Sequence, residues 1–224
     1  MILIKPSHKI LTLLDYPAML RRIEEAGRTC YKSEDKITEA SAVPFVRRIL
    51  KSGHESVIEH ESLSVRFICD RGVTHEIVRH RLAAFSQEST RYCDYGGKYI
   101  HPQVTFIIPP WIKIIPGEYY TEQDVPIDGH SGYYWAWAML NAERMYATLR
   151  QHEWSPQQAR SVLPNALKTE IVMTANIREW RHVLKLRTSK AAHPQMQELM
   201  QPLLTELKSA LPVFFEDINE EEAA

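Results

Sequence analysis

Two stretches in which apolar and polar side chains alternate limit the possible folds more than any other feature of this sequence. In SLSVRFIC, Leu63, Val65 and Phe67 alternate with Ser62, Ser64 and Arg66, and between Lys168 and Ala175 the side chains of Thr169, Ile171 and Met173 fall on one side. A period of two marks a strand with one buried face. A sheet is therefore expected from segments far apart in the chain, and the stretches between them read as its flanking helices.

Asp15 caps a helix with Pro17 in its first turn and Met19, Leu20, Ile23 and Ala26 at helical spacing. A second helix runs through Val46, Ile49 and Leu50 and stops at Gly53. Asp70 and Gly72 close the first alternating strand and open a third helix, with Val73 and Ile77 toward the core. Met1 to Leu14 reads as a strand and a turn. YIHPQVTFIIPPWIKIIP is broken by prolines into loops and edge strands, and residues 116–132 read as a surface loop. Tyr133 to Gln151 is helical, with aromatic and Met side chains suited to a core or a subunit contact. Ser155, Pro156 and Gln158 resemble a capping-box start, and Asn176 with Glu179 caps a helix carrying Trp180, Val183 and Leu184. The last helix runs from about His193 to Leu211 with a kink at Pro202. The chain thus mixes strands and helices. Residues 1–215 read as a single domain, and the acidic segment 216–224 as a disordered tail.

Composition narrows the function classes. A net charge of -1 and a pI near 6.8 argue against a general nucleic-acid binder. Cys30, Cys69 and Cys93 form no CxxC pair, so a disulfide scaffold and a thiolate zinc site are both unexpected. No apolar run is long enough to cross a bilayer and no signal peptide heads the chain, so the expected location is the cytoplasm, without a membrane partner.

Against this neutral background, EIVRHRLAAFSQESTRY stands out, with Arg79, His80, Arg81 and Arg91 beside Glu76, Gln87, Glu88, Ser89 and Thr90. Burying such groups unpaired would cost several kcal/mol, so the stretch reads as a site for an anionic, polar, planar ligand. HEIVRH is one residue too long for the HExxH zinc motif, because His75 and His80 would point roughly 140° apart on a helix. No metal site is expected. Glu76, Arg79 and His80 would share one face of that helix. Arg79 and Arg81 could instead be surface residues paired with Glu76 or Glu88, but Arg91 behind Ser89 and Thr90 suits a phosphate monoester. Two further polar clusters, in HESVIEH and in TANIREWRHVLKLR, contain His54, Glu59, Asn176, Arg178, His182 and Arg187.

Arg79-His80-Arg81, seven residues and then Ser89 resembles the RHRx7S signature of flavin-dependent thymidylate synthases. The likeness extends upstream to GHESVIEH and downstream to ARSVLPNALKTEIVMTANIREWRHVLKLR, and covers about Arg28 to His193. It implies an α/β (mixed α+β) fold, with a central, mostly antiparallel sheet flanked by helices, and a homotetramer with active sites between subunits. It also implies FAD as cofactor, dUMP as substrate, 5,10-methylenetetrahydrofolate as carbon donor and NADPH as reductant.

Carried over by position, the FAD contacts are His54, Ser56, Glu59, Arg79, His80, Arg81, Leu82, Gln87, Asn176, Arg178 and His182. The dUMP contacts are Glu76, Ile77, Val78, Arg79, Gln87, Glu88, Ser89, Thr90, Arg91, Arg160 and Arg187, with Arg187 also the catalytic residue that favours ionisation of the uracil. Many members carry Gln at Glu76, Ser at Ala84, Asn at Ser86, Glu at Gln87 and Asn at His182. The changes at 76 and 87 exchange carboxylate and amide between two places. A non-catalytic nucleotide- or RNA-binding protein and a metal hydrolase are the competing classes. They would purify colourless with RNA or zinc-loaded, respectively, instead of yellow.

Overall fold

The computed structural model describes residues 1–96, 103–125 and 130–218. Both alternating stretches are nine-residue strands, β3 (Ser62–Asp70) and β7 (Lys168–Asn176), and every second side chain from Leu63 to Cys69 and from Thr169 to Ala175 is buried. They run antiparallel: Ile177 N–H donates to Glu61 O at 2.8 Å, the Ser64 and Thr174 hydroxyls meet at 2.8 Å, and Arg71 N–H donates to Asn165 O at 2.9 Å. With β2 (Ser7–Ile10) and β4 (Ala83–Gln87) they form a sheet in the order β2-β3-β7-β4.

The single central sheet expected from the sequence is joined by a second, three-stranded one. There β1 (Ile2–Ile4) lies between β5 (Thr105–Ile107), to which it is parallel, and the short β6 (Gly117–Glu118), to which it is antiparallel. β1 and β5 fall in stretches expected to hold a strand and edge strands, but pieces of two or three residues carry no period from which their pairing could be read. Gly117–Glu118 and the helical turn Glu122–Asp124 lie in the stretch expected to be loop; residues 126–129 and 97–102 lie outside the described residues.

Both long strands end in an Asx residue that starts a helix. Asp70 Oδ1 accepts from Val73 N–H at 2.8 Å to open α3 (Arg71–Ile77), and Asn176 Oδ1 accepts from Glu179 N–H at 2.8 Å to open α6 (Ile177–Arg187). Asp15 caps α1 (Tyr16–Thr29) in the same way at 3.0 Å. α2 (Ala42–Lys51) is followed by Gly53, whose φ of 70° is the left-handed turn that glycine adopts without strain. The others are α4 (His130–Gln151), α5 (Pro156–Ala159), α7 (Pro194–Ala210, with Pro202 inside) and α8 (Pro212–Phe215).

No linker divides the chain, yet it forms two compact units, each assembled from non-contiguous segments. The first comprises Met1–Ser7, Phe67–Arg79 and Ser86–Ile171, and its core gathers Leu3, Val104, Phe106, Ile108, Met139, Leu140, Tyr146 and Leu167. The second comprises His8–Arg66, His80–Phe85 and Val172–Ala224, where α1 packs on α2 and α6 on α7. Trp180, fully buried there, donates its indole N–H to Leu63 O at 3.1 Å.

The first residues of the expected disordered tail are instead held in the second unit. Asp217 takes both amino groups of buried Arg181 at 2.6 Å, Ile218 is fully buried, and Glu216 pairs with Arg47 on the surface at 2.9 Å. A buried guanidinium needs its counter-charge, and Asp217 supplies it with Glu55 at 3.4 Å and the Phe214 carbonyl. Residues 219–224 lie outside the described residues. Asp217→Ala is expected to lower the unfolding free energy in urea by about 1–3 kcal/mol. That is less than for a fully enclosed pair, because the Asp217 carboxylate is half exposed. Glu216→Ala should change it by less than about 1 kcal/mol; equal losses in both variants would remove Asp217 from this role.

Candidate functional site

In the first unit, the chain after β4 closes a tight turn. Ser89 O accepts from the backbone N–H of Tyr92 at 3.1 Å and of Cys93 at 2.9 Å, and Ser89 Oγ accepts from Arg91 N–H at 3.3 Å. The turn buries Thr90 and leaves Arg91 exposed. Arg160, just past the Ser155-capped α5, donates from Nη1 to Thr90 Oγ1 at 3.0 Å. Thr90, Arg160, Arg71 and Asn165 are among the residues lining a cavity of about 270 Å³. Arg71 Nη1 is buried and has no hydrogen-bond partner among the described residues. A buried cationic N–H costs free energy until an acceptor meets it. With a second guanidinium and a hydroxyl beside it, the acceptor that suits the cavity is an anion with several oxygens.

The neighbouring polar groups are already tied. Glu88 accepts from Tyr95 OH at 2.5 Å and from Lys168 Nζ at 2.9 Å, and Lys168 also reaches Glu170 at 2.8 Å. Burial and that bond to Glu88 push the Tyr95 phenol well above its usual range, so it remains a donor. Gln87 Nε2 donates to Thr74 Oγ1 at 3.0 Å and Thr169 Oγ1 at 3.4 Å.

The second unit carries a different set. Arg178 Nη1 donates to Glu59 Oε1 at 2.6 Å, and both side chains are exposed. Buried His80 accepts at Nε2 from Arg187 Nε at 3.0 Å; its Nδ1 lies 3.5 Å from Glu179 Oε1, and its ring is 5.8 Å from that of His182. Burial, then the charge of Arg187 and the nearness of His182, pull the His80 pKa down to about 4. The imidazole is thus neutral near pH 7, and its contact with Glu179 is not an ion pair. His80, Glu179 and His182 have the spacing of a metal-ligand group, but the Arg187 guanidinium on His80 opposes a cation there. A cleft of about 740 Å³ in this unit is lined by His54 and Ser56, the cations Arg28, Lys36 and Arg48, and the rings of Tyr31 and Phe45. Cations beside flat apolar rings match a ligand that joins phosphates to ring systems, and on that ground these residues fit a flavin dinucleotide.

Residues 12–213 match the family described as thymidylate synthase complementing protein. The chain is 37% identical over 205 residues to a flavin-dependent thymidylate synthase of Mycolicibacterium vanbaalenii, across 88% of this chain and 78% of that protein. One from Mycobacterium tuberculosis is 33% identical over 203 residues, with the same shares covered. The chain belongs to the flavin-dependent thymidylate synthase family. Its function is thymidylate synthesis, with FAD as cofactor. Among solved structures, thymidylate synthase X from Helicobacter pylori, with FAD and dUMP, aligns with a TM-score of 0.71 at 23% identity over 96% of this chain and 98% of that one. The UMP/dUMP methylase PolB from Streptomyces cacaoi, bound with 5-Br dUMP, aligns at 0.74 and 20% identity over 96% of each. At such identities the likeness speaks for the fold.

The synthase's expected site residues fall into two groups. Glu76, Ile77, Val78, Arg79, Gln87, Glu88, Ser89, Thr90, Arg91 and Arg160 belong to the first unit, and Arg160 meets Thr90 there across 70 positions of sequence. His54, Ser56, Glu59, His80, Arg81, Leu82, Asn176, Arg178, His182 and Arg187 belong to the second, where Glu59 meets Arg178 and His80 meets Arg187.

One expectation changes, and two expected packing roles narrow what their residues can offer a ligand. α3 ends at Ile77, so Glu76, Arg79 and His80 do not share a helix face; Arg79 N–H instead closes a turn onto Glu76 O at 3.2 Å. Ile77 is buried in the core, which leaves only its backbone to meet a ligand. Asn176 Oδ1 is committed to its helix cap. Sequence reading missed Arg71 and Glu179. Arg71 looked like part of a helix start, and Glu179 like half of a cap; nothing local marks what either faces.

Unfolded, the His80 imidazole binds its proton near its ordinary value of 6.5, and folded only at about 4. The unfolded state therefore takes up more protons in that window. The contribution is complete above about pH 6.5 and is lost as pH falls toward 4. Urea midpoints of the wild type should fall more steeply over this window than those of His80→Gln; parallel slopes would mean that His80 is not held neutral.

Proposed function

We propose that this chain reductively methylates dUMP to dTMP, taking the carbon from 5,10-methylenetetrahydrofolate and the reducing equivalents from NADPH through FAD. The observation that carries the residue assignment is the Arg160–Thr90 hydrogen bond beside the buried, unpartnered Arg71 Nη1. It supports a phosphate seat formed by Arg160, Thr90, Ser89 and Arg91, with Arg71 added. Charge-assisted bonds from guanidinium and hydroxyl groups suit the dianion of a nucleoside monophosphate. Glu76, Arg79, Gln87 and Glu88, with the backbone of Ile77 and Val78, serve the sugar and base. Lys168 and Tyr95 hold the Glu88 carboxylate in one orientation, so its direction is set before substrate arrives.

His54, Ser56, Glu59, Arg178 and His182, with His80, Arg81, Leu82, Asn176, Arg79 and Gln87, hold the flavin. Bound FAD supplies hydride chemistry; the protein orients, shields and stabilises charge. Arg187 places a guanidinium against the uracil and stabilises its N3-ionised form, which pushes electron density toward C5. The subunits assemble as a homotetramer in the cytoplasm. The exposed side chains of Tyr134, Trp137 and Met145 on α4 support a subunit contact there, and no helix among the described residues is long and apolar enough to cross a membrane.

Tritium release from 5-labelled dUMP tests the central role. Arg187→Lys should fold, keep its flavin absorbance and lose turnover by about 100-fold or more, because a point charge cannot reproduce the planar fork. Near-normal turnover would refute it. Arg160→Ala and Arg71→Met should raise the KM for dUMP about 10-fold or more, the loss expected for a charge-assisted bond, with flavin content unchanged. An unaltered KM in Arg71→Met would remove Arg71 from the phosphate seat.

A further inference from the structure

The contacts of His80 bring in a residue that the family resemblance does not name. His80 is 5% exposed and Glu179 7%, and the two ring nitrogens of His80 face different partners. Arg187 can only donate, so the Nε2 that it meets at 3.0 Å must carry the lone pair. The ring is neutral, so its single proton then lies on Nδ1, the nitrogen 3.5 Å from Glu179 Oε1. Glu179 and Arg187 both belong to α6, about two turns apart. The chain of contacts leaves the helix at one carboxylate, passes through a buried imidazole and returns to the same helix at the guanidinium.

We propose that Glu179 is a positioning residue: it keeps His80 in the Nδ1–H tautomer, so that Nε2 accepts from Arg187 and fixes the plane of its guanidinium. The inference rests on Arg187 acting on the uracil. A carboxylate suits the task because, unlike an amide, it carries no N–H to donate. An amide in its place could also donate to Nδ1. That would favour a proton on Nε2, where it would face the Arg187 N–H as one donor against another. A metal ion on Nδ1 would force the same change, so the spacing of His80, Glu179 and His182 serves this relay and excludes a metal while Arg187 is in place.

The deciding measurement is a nitrogen-15 NMR spectrum of the histidine-labelled holoenzyme near pH 7.5, with the His80 signals identified by their loss in His80→Gln. The expected spectrum has a protonated Nδ1 and an unprotonated Nε2. A protonated Nε2, alone or as part of an imidazolium, would overturn the relay. Glu179→Gln should then retain its flavin and melting temperature and populate both tautomers. Its kcat should drop about 10- to 100-fold, with the KM for dUMP within about threefold of the wild type. A folded, flavin-loaded Glu179→Gln enzyme with kcat within twofold of the wild type would equally overturn it. If that variant does not fold, the wild-type tautomer still decides. Turnover surviving in Arg187→Lys would refute the uracil role of Arg187 and leave the tautomer result standing on its own.

Discussion

Two nine-residue strands, β3 and β7, lie antiparallel, and each ends in a short polar side chain that caps the helix after it. The rest of the site depends on that pairing. Its register is set by burial: a slip of one residue would turn Leu63, Val65, Phe67, Ile171 and Met173 toward water together. With the register fixed, Asp70 and Asn176 stand at fixed strand ends, and the helices they open start at fixed points. α3 carries the chain toward the Arg79-His80-Arg81 run, and α6 carries Glu179, His182 and Arg187. The expected site residues therefore follow the ends of the strands.

Electrostatics then arranges what the strands deliver. The chain is nearly neutral, yet six of its expected site residues are arginines. Where a cation is to stay in one place, it has an internal partner: Lys168 between Glu88 and Glu170, Arg178 on Glu59, Arg181 between Asp217 and Glu55. Arg187 is held at Nε by the lone pair of a neutral imidazole, so this bond fixes its geometry and is not itself an ion pair. A carboxylate at the same place would have fixed it as well and left a weaker field for an anionic base.

Long elements were legible in the sequence and short ones were not. The alternation of β3 and β7, the caps at Asp15, Asp70 and Asn176, and Gly53 beyond α2 all act locally, through side-chain period or backbone geometry, so their residues announce them. β1 and β5 lie in stretches read as strand and edge strand, but which strands they pair with, and the two-residue β6, depend on partners that no local pattern encodes. The same distinction applies to the site. The composition of residues 76–92 pointed to an anion, and the resemblance named the residues. That Arg160 meets Thr90, and Arg187 meets His80, depends on contacts over 70 and 107 positions that spacing alone cannot give. The tail was misread for a related reason: a carboxylate in an acidic run looks solvated until the buried Arg181 is known.

The cysteines bear on why such an arrangement is needed. Attack by a thiolate at C6 is one way to make uracil C5 nucleophilic, and it requires a thiol that ionises near neutral pH. Cys69 is buried at the end of β3, where lost hydration and then the charge of Asp70 push its thiol far above that range, so it packs as an apolar side chain. Cys30 is exposed on the cleft that also holds His54 and Ser56, and Cys93 receives its backbone bond from the Ser89 turn; neither is among the residues around the cavity of Thr90 and Arg160. On the proposed reading, in which no cysteine adds to the base, the electron density at C5 comes from stabilising the base as an anion. That task demands a cation held rigidly in an environment poor in water. The Arg187 guanidinium, tethered at Nε by a neutral, buried imidazole, meets the condition of rigidity, since a mobile charge would lose most of its effect to screening.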